Sequence, residues 1–122
     1  MRIVDTPVGP VSVRAVDEVT VAGRRAVQLG VARVGPAVLV AALKAGCRST
    51  EELAETGQPV DETAWERLSD ALSWALLARW DRGPLPCDPT AVGRLDGPVR
   101  DALAVAVEAE AATLIHTELG AS

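Results

Sequence analysis

Residues able to perform acid–base chemistry are mostly carboxylates in this chain of 122 residues, and their placement does not favour catalysis. Examples of paired carboxylates are Asp61 with Glu62 and Glu108 with Glu110. Catalysis by paired carboxyl groups needs surroundings that separate their pKa values within a cleft. These pairs are instead predicted to lie at helix starts and on solvated helix faces, where acidic side chains interact favourably with the helix dipole. They therefore indicate a solvated surface.

The one histidine and the two cysteines also lack the spacing of a reactive site. His116 falls near the end of a predicted helix, where its ring meets the negative end of the helix dipole. Cys47 and Cys87 have no second cysteine nearby, so no zinc-site spacing is present, and we expect reduced thiols that are buried or half-buried. Two glycines in residues 30–35 are spaced as in a phosphate loop but lack the Lys and Ser/Thr that follow them. We predict no catalytic, cofactor-binding or metal-binding residues, and no enzymatic activity.

The composition of the chain indicates its cellular compartment, and its charge distribution limits the kinds of partner that it can bind. No run of eighteen apolar residues and no basic-then-apolar leader occurs, so we predict no membrane insertion and a cytoplasmic location. Residues 1–50 hold seven basic and three acidic groups, whereas residues 51–122 hold five and fourteen, which gives the net charge of −5. Because the acidic part repels phosphate backbones, we expect no nucleic-acid partner.

The predicted secondary structure that positions these residues changes along the chain, from strands in the N-terminal part to helices in the rest. Over residues 2–34 apolar and polar residues alternate in the manner of half-buried strands, and residues 6–10 are dense in turn formers. Residues 24–34 fit the same alternation and are also compatible with a helix. We predict a β-rich part over residues 1–34, a hairpin or meander whose valine-rich strands pack on a helix over residues 36–45.

Helix signals dominate residues 35–119. Pro36 fits a first helical position, and Asp61 and Asp88 each stand where a helix N-cap is expected. The predicted helices cover residues 36–45, 50–57, 62–80, 89–95 and 99–119. The chain is thus predicted to be a single domain, residues 1–122, that is mainly α, a small helical bundle with an N-terminal β-hairpin or meander.

One alternative function comes from the helix order in residues 36–80, which is similar to that of winged helix-turn-helix domains. The resemblance depends on the spacing of Leu53, Ala54 and Gly57. The would-be recognition helix brings a net negative face, which opposes entry into a DNA groove. Its charged residues are Asp61, Glu62, Glu66 and Asp70 against Arg67. The alternative is therefore a regulatory or protein-interaction module without DNA as its ligand.

A second pattern lies in residues 74–110. An apolar helix ends at Trp80 and Asp81, Gly83 and a Pro-Leu-Pro segment over residues 84–86 follow, and a short helix with Leu95 precedes a final long helix. This order resembles the tail assembly chaperones of long-tailed phages and related tail-like particles. In that family a helix ends in Trp-Asp or Trp-Asn, and a glycine turn, a proline-flanked segment, a short helix and a last helix follow. The resemblance covers about a third of the chain.

The resemblance implies a non-enzymatic chaperone in the host bacterial cytoplasm. Such proteins bind the helical tape measure protein, keep it soluble and help to deliver tail tube protein around it. We expect helices 62–80 and 99–119 to form the binding surface, and the Ala-rich last helix is compatible with a homo-oligomer. The predicted protein-binding residues are Trp65, Leu68, Leu72, Trp74, Trp80 and Leu103. A structural neck or tail-completion protein is the remaining alternative.

Overall fold

Helices provide most of the ordered backbone, and a small sheet stands at the N-terminal side. The structure is a computed structural model that describes residues 1–45, 52, 55 and 61–119. A short 3₁₀ turn, Val16–Glu18, precedes the first helix. The strands are β1 (Arg2–Thr6), β2 (Gly9–Val13) and β3 (Leu77–Trp80), and the helices are α1 (Val21–Val34), α2 (Pro36–Ala45), α3 (Glu62–Leu76), α4 (Pro89–Gly93), α5 (Gly97–Ala106) and α6 (Glu108–Glu118). The predicted fold class, mainly α with an N-terminal β element, is confirmed.

The sheet is antiparallel in the order β1-β2-β3. A two-residue connection joins β1 to β2, and Gly9 follows it with φ +107°, a conformation that a residue with a Cβ rarely adopts. The hydroxyl of Thr6 closes the turn by donating to the carbonyl of Gly9 at 2.6 Å. Val11 of β2 pairs with Trp80 of β3, and the register shifts between Ser12 and Val13. The N-terminal hairpin therefore gains its third strand from the middle of the chain.

The β-rich part proves shorter than predicted, because residues 21–34 form a helix. The side chain of Thr20 caps α1 by accepting from the backbone N–H of Gly23 at 3.1 Å. Val27 and Val31 are buried four residues apart, and Gly23 and Gly30 lie on the same buried face. Val27 and Val31 fit the strand period as well as the helical period, so the sequence left both structures open for residues 24–34. The structure shows that these residues are helical, and the β-rich part therefore ends before residue 21.

Two predicted helices also differ from the structure. The helix over 62–80 ends at Leu76, because Leu77 turns its buried side chain into the sheet and its strand pairs with β2. The helix over 99–119 begins at Gly97 and is divided at Val107, which is buried between α5 and α6. Within the described residues both changes bring an apolar residue into the core at the point where the helix stops.

Helix α3 lies at the centre of the packing and contacts α1, α4, α5 and α6. Strands β1 and β2 contact α5, so the predicted packing of the sheet on residues 36–45 is corrected. The predicted caps at Asp61 and Asp88 are confirmed, with backbone N–H groups donating to their carboxylates at 3.1 and 2.8 Å. Cys47 and, apart from residues 52 and 55, the helix predicted over residues 50–57 lie outside the described part of the chain.

Across residues 1–45 and 61–119, no single helix has the length and hydropathy to cross a bilayer. Helices α1 and α2 together pass that test by length and composition, and they meet at an angle of 90°.

An ion pair joins the first strand to the last helices. The Arg2 guanidinium donates to both carboxylate oxygens of Glu110 at 2.8 Å and to the carbonyl of Ala106 at 3.1 Å. The hydrogen bonds from Arg2 hold the pKa of Glu110 below its ordinary value. A carboxylate with a lowered pKa stabilises the fold above its unfolded pKa, and this stabilisation is lost as the pH falls through the folded pKa.

We expect Glu110→Gln to remove part of the acid sensitivity of the fold. Because half of the Arg2 side chain is exposed, solvent screens the pair, and we expect only a small loss of stability near neutral pH. The difference between variant and wild type should shrink as the pH is lowered below about 4.5. Urea denaturation over a pH series measures it, with Asp5→Asn, an exposed carboxylate on β1, as the control. A constant difference at every pH would contradict the assigned role of the Glu110 charge.

Candidate protein-binding site

A groove of about 770 Å³ lies between α1, α3, α4 and α5. Four of its lining residues are small, and they come from three helices: Ala26 and Gly30 of α1, Ala71 of α3 and Gly93 of α4. Leu29 of α1 lines it as well and is 53% exposed. The groove therefore combines small residues with one large apolar side chain that the fold leaves in contact with water.

Close packing of α1 against α3 forms one side of this groove. A Cβ on Gly30 would lie 2.9 Å from Cδ1 of Leu68, which is nearer than real side chains come, and 3.2 Å from its Cα, which would require the neighbouring backbone to shift by a few tenths of an ångström. A Cβ on Gly23, seven residues earlier, would lie 3.1 Å from the Cβ of Ala75. The two glycines thus permit the helices to approach closely along two turns of α1.

An ion pair beneath the groove fixes α5 to α3. The Arg100 guanidinium donates from Nε and Nη2 to the two oxygens of Asp70, each at 2.7 Å. Asp70 is 7% exposed, and a Cβ added to Gly93 would lie 3.0 Å from its Oδ2, so α4 also approaches this carboxylate. The hydrogen bonds to Asp70 raise the pKa of Arg100 above its ordinary value. The ion pair thus joins α3 to α5, and its carboxylate limits how closely α4 can approach α3.

The charges around the groove are not balanced. Arg33, Arg67 and Arg94 line it and are exposed, and their side chains make no hydrogen bond or ion pair with any residue in 1–45 or 61–119. Glu66 is the one carboxylate of the lining besides Asp70. Within those ranges the three guanidinium groups thus differ from that of Arg100, which is bonded to Asp70.

Three of the predicted binding residues lie in the core of the chain itself. Leu68, Leu72 and Leu103 are 3%, 6% and 0% exposed, so they cannot contact a partner while this fold is intact. The reason is that α3, which carries Leu68 and Leu72, contacts α1, α4, α5 and α6, and Leu103 of α5 belongs to the same core cluster. The proposed role of these leucines in a binding surface is therefore corrected to a role in stability.

The three tryptophans are half-buried, and two of them bond to the segment that precedes α4. Trp74 Nε1 donates to the carbonyl of Pro86, and Trp80 Nε1 donates to the carbonyl of Gly83, each at 3.1 Å. Trp65 packs at the margin of the core. The indole rings therefore hold residues 83–86 against α3 and β3, which is the structural function seen for Trp74 and Trp80.

Sequence reasoning missed Leu29 and the three arginines. The signal for Leu29 was present, because in a helix it falls outside the buried set of Gly23, Val27, Gly30 and Val31. Interpreting residues 24–34 as a strand concealed it. The arginines come from three segments that are distant in sequence, and no local pattern indicates that they line one groove.

A second, smaller cavity of about 270 Å³ lies beside Trp74, with Arg14, Leu85 and Cys87 in its lining. Cys87 is exposed, so the expectation that this thiol is buried or half-buried was wrong. Within the described residues, no group of three or more His, Cys, Asp or Glu side chains is arranged to hold a metal ion.

Comparison of the chain with known protein families, with characterised proteins and with solved structures finds no match. The groove between α1, α3, α4 and α5 is larger than the cavity beside Trp74.

Proposed function

We propose that this chain is a non-enzymatic tail assembly chaperone, which binds the tape measure protein and assists tail tube assembly in the cytoplasm of a host bacterium. The groove between α1, α3, α4 and α5 is the observation that carries this proposal. Its exposed Leu29 and its small residues suit the docking of an apolar helix, a common mode of peptide recognition. The resemblance of residues 74–110 to tail assembly chaperones supplies the identity of the partner.

The residues that carry this resemblance also support one wall of the groove. Trp74 and Trp80 bond to residues 86 and 83, and the chain then enters α4 at Pro89 under the cap of Asp88. Proline restricts this connection and lowers the entropy that its ordering costs. The motif thus helps to position α4, which packs against α3 and lines the groove.

Co-expression with the tape measure gene of the same genome tests the proposal. We expect the wild-type chain to keep the tape measure protein soluble and to co-purify with it. Leu29→Ala should weaken the complex about tenfold, because one large apolar side chain no longer becomes buried on binding. Val105→Ala is the matched control, since Val105 is 70% exposed on α5 and does not line the groove.

Two results would contradict the proposal in different ways. If the wild-type chain changes neither the solubility nor the recovery of the tape measure protein, the chaperone function is wrong. If Leu29→Ala binds like Val105→Ala, the function stands and the groove is not the place where the partner docks.

A further inference from the structure

We infer that the segment docking in the groove is an acidic amphipathic helix, with carboxylates that face Arg33, Arg67 and Arg94. These three arginines are called the basic rim. The inference rests on the proposed function, because it specifies the chemistry of the partner's docking segment. It depends on charge complementarity between the groove and its occupant.

The groove is basic in a chain that is acidic. Four arginines and two carboxylates line it, whereas the whole chain carries a net charge of −5. The pair of Asp70 and Arg100 is closed on itself by two hydrogen bonds of 2.7 Å. What remains is the basic rim against the single carboxylate of Glu66. Within residues 1–45 and 61–119, no carboxylate pairs with a guanidinium group of the rim, and all three of these arginines are exposed.

The geometry of the lining favours an anion carried on a helix. The rim residues come from α1, α3 and the residue that follows α4, so three separate segments contribute guanidinium groups to the same groove as the small residues. A helix places side chains three and four positions apart on one face, where Glu or Asp can reach guanidinium groups while Ala or Leu faces the groove. Arginine binds carboxylates through a planar fork with two parallel hydrogen bonds.

Nucleic acid is disfavoured by the residues that surround the rim. Asp61 and Glu62 are exposed in the first turn of α3, and Glu66 is exposed one turn later on the same helix. A phosphate backbone follows a long continuous path and would have to pass these carboxylates, whereas a short docking segment need not.

A peptide-binding experiment with the full chain tests the inference. The probe is a fluorescently labelled helical peptide of about 18 residues, about 27 Å of helix, made of Ala, Leu and Glu with the Glu residues on one face. A counterpart carries Lys in place of Glu. Anisotropy titration should give at least about tenfold tighter binding of the acidic peptide, and this preference should weaken as salt is raised.

Charge reversal identifies the residues. Arg33→Glu with Arg67→Glu should weaken binding of the acidic peptide by about tenfold or more. Arg25→Glu with Arg82→Glu changes the net charge equally at exposed arginines outside the groove, and it should bind like the wild type. Urea denaturation of both double variants shows whether the fold is retained.

The inference would be overturned if the two peptides bind equally or if neither binds. It would also be overturned if the rim variant binds the acidic peptide like its control, or if duplex DNA binds more tightly than the acidic peptide. Co-purification of the tape measure protein is scored separately. If it co-purifies while the peptides are not distinguished, the acidic-helix inference fails and the proposed function stands. If the acidic peptide binds as expected and the tape measure protein does not co-purify, the proposed function fails.

Discussion

Arg100→Met is expected to lower the free energy of unfolding by about 3 kcal/mol, the largest effect of any single substitution that we propose. The variant leaves the carboxylate of Asp70, which is 7% exposed, without the cation that donates to both of its oxygens. Methionine preserves most of the apolar stem, so the loss reports the uncompensated charge. Urea denaturation near neutral pH, followed by tryptophan fluorescence, measures it.

Two further variants separate the charge from the packing. Adding Asp70→Asn to Arg100→Met removes the buried charge, and we expect it to restore about 1–2 kcal/mol. Arg25→Met, at an exposed arginine of α1, should stay within about 0.5 kcal/mol of the wild type. If Arg100→Met behaves like Arg25→Met, the ion pair does not hold α3 and α5 together.

Gly30→Val is expected to destabilise the chain by about 2–3 kcal/mol, since it overpacks the contact of α1 with α3. Even a single Cβ at this position would lie 3.2 Å from the Cα of Leu68, and backbone cannot move aside as the end of a side chain can. The helices would have to separate, and the groove that they form would widen. Thermal or urea denaturation gives the stability change.

Ala32→Val serves as the control for this prediction. Ala32 lies on the same helix and is exposed, so valine there should change stability by only about 0.5 kcal/mol. An equal loss at both positions would mean that the low helix preference of valine, and not the close approach of α1 to α3, determines the result.

The fold class was predictable because local signals and the final packing agree at several points. Pro36, Asp61 and Asp88 begin helices as their residue types indicate. Residues 24–34 were not decided locally, because Val27 and Val31 fit both a strand and a helix. Nothing in residues 77–80 marks a helix end either. Strand β3 forms there because β2, more than sixty residues earlier in the chain, offers hydrogen-bonding partners.

The candidate site was less predictable than the fold. An apolar stripe such as Leu68 and Leu72 shows that a helix face will be covered, but it does not show whether the chain or a partner covers it. Here the chain covers it. The basic rim depends on contacts between segments that are distant in sequence, which no window of residues displays. Leu29 became interpretable only once residues 21–34 were known to form a helix.

Hydrogen–deuterium exchange of the chain, alone and in complex with the tape measure protein, tests most directly whether the groove is where the partner docks. Exchange should slow in the segments that line the groove, residues 26–33 of α1 and residues 89–94, and should stay unchanged in β1 and β2. Slower exchange over residues 2–13 with unchanged exchange at the groove would contradict this assignment.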